Sequence, residues 1–274
     1  KETSLYEKDK NYWLNEIKSM PPAPELPIEN IPDSLQTARF NHYESILVSD
    51  RWNRLKSIGK KENITPSAIL LTAFSEVIGR FSKTQDFTIN LTRFNRLPVH
   101  DRINDIIGDF TSLVMLSVDR KNGATFLERC KNVQKKLWQN LDHPYFCGVE
   151  VQREYSKLGS KDNSSPIMPI VFTSGLGIGL EGDQASNDFP KIKYNMSETP
   201  QVWLDHQVAE KDGNLYLFWD VIDKIFPDGL VNEIMLAYEK LLTDLAVNKD
   251  MWTNNTWNLI SILDQSRIEA NNTK

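Results

Sequence analysis

In the stretch QVWLDHQVAEKDGNLYLFWD, residues 201–220, two runs of apolar and aromatic residues flank Lys211-Asp212-Gly213. Aspartate followed by glycine between such runs is the signature of a tight hairpin, because both residues tolerate positive φ. The stretch therefore reads as two strands, 201–209 and 214–220. Side chains alternate faces along a strand, so Val202, Leu204, His206 and Val208 are expected to point one way and Gln201, Trp203, Asp205 and Gln207 the other. The first face reads as core, with His206 a core histidine whose polar atoms are satisfied. The second sets a carboxylate between two amides and a ring, an arrangement costly to bury without a partner or a purpose. The plain alternative for Asp205 is a carboxylate that caps a turn or pairs with a lysine.

Working outward, the chain alternates helices and strands. Tyr12, Trp13 and Ile17 suggest a short helix over 9–18, and PPAPELPIENIP then reads as a stiff connector, since its prolines remove donors and fix φ. RFNHYESILV (39–48) reads as a strand, followed by a helix with Asp50 as N-cap and Trp52, Leu55 and Ile58 on one stripe. Thr65-Pro66 is an N-cap with proline at the first helical position, ahead of Ile69, Ala73, Phe74, Val77, Ile78 and Phe81 at helical spacing. Strands are expected at 86–92 and 110–118, joined by a polar loop in which Asn95 reads most simply as a turn former. Thr125 and Glu128 have capping-box spacing before another amphipathic run, and a last helix is expected over about 228–247. Interleaved strands and helices argue an α/β domain, and the hairpin makes its sheet mixed.

The composition narrows the function classes. With 274 residues, 40% of them hydrophobic, the chain can bury a sizeable core, and a formal charge of -5 gives no general attraction to nucleic acid or anionic lipid. Cys130 and Cys147 have neither CxxC spacing nor histidine neighbours, so they read as idle thiols and no metal is expected. No apolar run is long enough for a membrane span and no signal peptide opens the chain, which places the protein in the cytoplasm as an expectation. Asn90-Leu91-Thr92 matches a glycosylation sequon, which carries no weight without secretion. The absence of an initiator Met suggests a piece of something larger.

MPIVFTSGLGIGLEG (168–182) offers three readings of Thr173-Ser174. A serine-nucleophile elbow needs glycine where Phe172 stands. GIGLEG (177–182) fits a phosphate loop, but DQASNDFP follows where a helix would have to begin. A strand ending in a mobile glycine loop remains.

Taken together, YWLNEIKSMPPAPELPI (12–28), LTRFNRLPVHDRINDIIGDFTSLVMLSVD (91–119), PIVFTSGLG (169–177), SETPQVWLDHQ (197–207) and WDVIDKIFPDGLVNEIMLAY (219–238) resemble the heterocyclization domains of nonribosomal peptide synthetases, a variant of their condensation domains. The resemblance is to the C-terminal half of such a domain. Its signature DxxxxD motif belongs to the other half, and Asp183 and Asp188, which share the spacing, sit in the glycine loop and are not assigned to it. The resemblance implies a chloramphenicol-acetyltransferase-like α/β subdomain, a mixed sheet flanked by helices. On this reading residues 1–38 are a leading helix and connector, 39–265 the subdomain and 266–274 a tail or linker. The subdomain forms one wall of a tunnel completed by the N-terminal half.

The resemblance further implies upstream and downstream peptidyl carrier domains and an adjacent adenylation domain as partners. Substrates arrive on phosphopantetheine arms, with no cofactor bound directly. It assigns ring formation to Thr173 and Asp205 and places Asn95 in the tunnel; Gln201, Trp203, Gln207 and Ser174 complete the expected substrate contacts. The implied reaction joins a carrier-bound acyl thioester to carrier-bound Cys, Ser or Thr and cyclodehydrates the amide to a thiazoline or oxazoline. Asp205 suits the proton exchange if burial beside Trp203 raises its carboxyl from about 3.9, and Thr173 positions. The isolated piece is expected to be inactive. The competing readings are a non-catalytic carrier-docking or scaffolding subdomain, and a domain that stops at the amide.

Overall fold

The computed structural model describes residues 3–30, 39–98, 100–159, 166–177, 199 and 201–254. Six strands, β1 (Phe40–Leu47), β2 (Phe87–Phe94), β3 (Thr111–Val118), β4 (Ile170–Ser174), β5 (Leu204–Lys211) and β6 (Asn214–Ile222), form one sheet in the order β1-β6-β5-β4-β2-β3. β4 runs parallel to both β2 and β5, and the remaining pairs are antiparallel, so the sheet is mixed as expected. Asp212 and Gly213 close the β5–β6 hairpin with φ of 50° and 73°, the left-handed pair that a two-residue turn requires.

The first strand of that hairpin starts later than its sequence suggests. Gln201 has φ 69°, and the Val202 N–H closes on the Thr199 carbonyl at 3.2 Å, so 201–203 is a turn feeding the strand. Alternation begins only at Leu204. Trp203 lies in that turn, joins the hydrophobic core at 8% exposure, and its backbone N–H is bonded to the Pro169 carbonyl.

Six helices accompany the sheet among the described residues: α1 (Ser4–Glu16), α2 (Ser49–Glu62), α3 (Pro66–Phe81), α4 (Phe126–Leu141), α5 (Gly148–Leu158) and α6 (Leu230–Val247). Their ends follow local chemistry. The Thr65 hydroxyl accepts the Ala68 N–H with Pro66 at the first position, and Thr125 and Glu128 exchange bonds in a capping box. Asp50 is not the cap of α2. Its N-cap is Val48, two residues earlier, where the Asn214 side chain from the hairpin accepts the Ser49 N–H at 2.8 Å and Asp50 is left to pair with Arg54. α1 starts at Ser4, where Thr3 caps the Tyr6 N–H, and so extends well before 9–18.

The connector is packed. Its Pro22 and Glu25 carbonyls accept N–H groups from Thr88 and Lys83, and Leu26 is buried with Trp13, Ile17 and Met20 in the common core. α3 is apolar nearly all round and lies at the centre of that core, as a helix buried on every side must.

Register assigns the two sheet faces. Tyr43, Trp219, His206, Phe172, Leu91 and Val114 form one transverse row on the helix-covered face. There Phe74 of α3 lies 4.8 Å from the His206 ring and 5.8 Å from Trp219. The neighbouring positions, His42, Asp220, Asp205, Val171 and Asn90, form a row on the opposite face. That face is walled at the β3 edge by α5. Gly148 makes the approach possible, since a Cβ there would lie 2.6 Å from the Leu113 backbone.

Candidate active site

Thr173 and Asp205 turn toward the same side from adjacent parallel strands. The Thr173 Oγ1 lies 3.3 Å from Asp205 Oδ1 and 2.9 Å from the Thr92 hydroxyl on β2. The Gln207 Nε2 donates to Asp205 Oδ2 at 3.0 Å. Asp205 is 7% exposed, so these bonds replace solvent at both carboxylate oxygens. The Thr173 hydroxyl has one proton, which it can give either to Thr92 or to the Asp205 carboxylate, and its oxygen can accept the Asp205 proton when that carboxyl is protonated.

This cluster borders a cavity of about 490 Å³. Thr92, Thr173, Asp205 and Gln207 line it together with Gln201, while Leu113, Val149, Met168, Val171 and Val202 supply an apolar flank. The volume suits an extended small-molecule chain, and a mostly apolar site with a few convergent polar groups is the usual form of a ligand pocket.

The structure thus brings Thr173, Asp205, Gln201 and Gln207 into one place and sets three expected contacts elsewhere. Trp203 belongs to the hydrophobic core and does not line the cavity. Ser174 points to the helix side, as alternation from Thr173 demands, and its Oγ is 2.8 Å from Ser67 Oγ at the start of α3. Asn95 lies outside the cavity lining; its side chain accepts from Arg93 at 2.8 Å and donates to the Pro144 carbonyl, tying β2 to the end of α4. Residue 177 opens the GIGLEG loop, and the rest of that loop, with Asp183 and Asp188, lies outside the described residues.

Four side chains escaped the sequence reading. Thr92 and Asn90 were visible only as a sequon, although alternation along β2 places both on the Thr173 side. Asn90 is 4% exposed, lines the cavity, and its Oδ1 has no bonding partner among the described residues. Asp220 and His42 stand behind Gln207 and required the pairing of β1 with β6 to be seen.

His206 is the core residue anticipated, but its satisfaction is partial. Nδ1 reaches the Phe218 carbonyl at 3.4 Å, and Nε2 has no partner among the described residues. Burial pushes its pKa down to about 3, which keeps the ring neutral. Burial likewise raises the Cys130 thiol far above its ordinary range, consistent with an inert core cysteine. Among the described residues no cluster of His, Cys, Asp and Glu could hold a metal ion, and no helix is long and apolar enough to cross a membrane.

Comparison with known proteins converges on one family. Residues 1–261 match the family described as Condensation domain. Pyochelin synthetase PchF of Pseudomonas aeruginosa is 35% identical over 256 residues, 93% of this chain and 14% of that protein. Phenyloxazoline synthase MbtB of Mycobacterium sp. (strain MCS) is 31% identical over 248 residues, 90% of this chain and 21% of that protein. The EpoB NRPS cyclization-docking bidomain of Sorangium cellulosum superposes with a TM-score of 0.80 at 40% identity, covering 90% of this chain and 50% of the solved one. The chain therefore spans about half of that solved structure and a small part of the curated relatives.

Proposed function

The chain belongs to the condensation-domain family, as a piece of its heterocyclization type with a chloramphenicol-acetyltransferase-like α/β fold, and from that premise we propose that it supplies one wall and the proton-handling groups of a heterocyclization site. The observation that carries this reading is the Thr92–Thr173–Asp205–Gln207 cluster at the border of a cavity with an apolar flank. The names of PchF, MbtB and the EpoB bidomain, a synthetase, a phenyloxazoline synthase and a cyclization-docking bidomain, favour the same chemistry.

The substrates are an acyl or peptidyl thioester and a Cys, Ser or Thr thioester, each held on the phosphopantetheine arm of a carrier domain. The second half of the domain and an adenylation domain are further partners, and no other cofactor is needed. In the first stage the amine attacks the acyl thioester carbon and the upstream pantetheine thiol leaves. Holding two tethered reactants in one cavity can supply effective molarities of ~10⁵–10⁸ M, so this stage depends chiefly on positioning.

Ring closure needs proton exchange. The side-chain thiol or hydroxyl attacks the new amide carbon and gives its proton to the Asp205 carboxylate. Asp205 returns that proton, directly or through Thr173, to the former amide oxygen. Asp205 then takes the N–H proton as the nitrogen lone pair forms the C=N bond and passes it to the departing hydroxyl as the C–O bond breaks, so the oxygen leaves as one water carrying both protons. Gln207 fixes the carboxyl from its far oxygen. Positioned acid–base groups of this kind typically contribute ~10²–10⁴-fold.

The test is the mass of the product formed by the full-length protein from carrier-bound acyl group and carrier-bound Cys, Ser or Thr. A product lighter than the linear amide by one water supports the reading. Linear amide alone leaves only condensation, and no product with either carrier loaded leaves a docking or scaffolding role.

A further inference from the structure

Behind the cavity, on the side of Asp205 away from Thr173, stands a second ionisable pair. His42 Nδ1 lies 2.6 Å from Asp220 Oδ1, with the His42 side chain 19% exposed and that of Asp220 2%. Neither residue lines the cavity. β1, β6 and β5 place His42, Asp220 and Asp205 directly opposite one another across three strands, and the Phe218 ring stacks beside His42 at 5.7 Å.

The link between this pair and the cavity is one amide. Gln207 Nε2 is 3.0 Å from Asp205 Oδ2 and 3.4 Å from Asp220 Oδ2. A primary amide carries two N–H donors, one for each carboxylate, and its oxygen would be repelled by either if the group flipped. Resting on the function proposed above, we infer that His42 and Asp220 are positioning residues for ring closure: His42 anchors Asp220, Asp220 holds one N–H of Gln207, and the other N–H keeps the Asp205 carboxyl aimed at Thr173.

The pair acts through Gln207 and touches no substrate, so its loss changes the ring-forming step and leaves KM for the carrier-bound substrates within about twofold. Groups in one hydrogen-bond network are energetically coupled, so loss of one link is felt at the next. His42→Ala is therefore expected to lower the ratio of cyclised to linear product about tenfold.

Four variants of the full-length protein test this, His42→Ala, His42→Asn, Gln207→Leu and the double variant of His42→Ala with Gln207→Leu, each with its thermal midpoint measured. His42→Ala lowers the ratio. His42→Asn, which keeps an N–H donor at the place of Nδ1, restores it to within about threefold of wild type. In a Gln207→Leu background, His42→Ala has no further effect. An unchanged ratio in His42→Ala overturns the inference. So does His42→Asn behaving like His42→Ala at equal thermal midpoint, or an undiminished His42→Ala effect in the Gln207→Leu background. A wild-type protein that makes no ring overturns the underlying function as well, which separates that failure from this one.

Discussion

Replacing His206 with leucine removes a titration from the centre of the core, and the size of the effect follows from its burial. The ring is enclosed by Phe74, Phe172, Trp219 and Tyr238, which hold its pKa near 3, whereas an exposed histidine titrates at 6.5. The unfolded chain therefore takes up a proton at higher pH than the folded one. Stability from this group is complete above 6.5 and is lost progressively as pH falls toward 3. Between pH 7 and pH 5 the unfolded state gains about 1.4 units of protonation free energy that the folded state does not, or about 2 kcal/mol at 1.36 kcal/mol per unit. Urea denaturation of wild type and His206→Leu at the two pH values measures it. Carboxylates contribute equally to both proteins, so the variant should lose about 2 kcal/mol less than wild type on acidification. Equal losses would refute the claim that the histidine is held neutral by burial.

Thr173→Val keeps the β-branched shape of a strand residue and removes the hydroxyl between Thr92 and Asp205; ring closure should slow roughly 10²-fold in single-turnover product analysis, the lower end for an acid–base element. A slowing of linear amide formation to the same degree would mean that the hydroxyl serves binding instead. Gly148→Ala drives a methyl group to within 2.6 Å of the Leu113 backbone. Overpacking at such a contact costs ~1–3 kcal/mol, so the thermal midpoint should fall; an unchanged midpoint would show that α5 is not seated on β3 as described.

What could be read from the sequence was mostly local. Asp212-Gly213, Thr65-Pro66 and the Thr125–Glu128 box each specify their geometry within a few residues, and the structure keeps all three. Period-2 alternation also placed Asp205 and Gln207 on one face. It failed at Trp203 because a turn precedes the strand, with Gln201 at positive φ and the Val202 N–H on the Thr199 carbonyl; Pro200, next to Gln201 in the sequence, was the signal that could have found it. α5 was missed because its N-terminal box has cysteine in place of the usual hydroxyl residue, with only Glu150 accepting the Cys147 N–H to mark it. The Asn214 cap on α2 and the His42–Asp220 pair join residues 165 and 178 positions apart, so both depend on the order of strands in the sheet. Ser174 illustrates the opposite case, since once Thr173 is placed on the cavity side alternation alone excludes its neighbour.

The central claim is that the Asp205 carboxyl exchanges the protons of ring closure. It is tested most directly by mass analysis of the product released by the full-length protein carrying Asp205→Asn, which preserves shape and removes the exchangeable proton. The account predicts linear amide accompanied by little or no dehydrated ring. Heterocycle formed at the wild-type rate by that variant would contradict it.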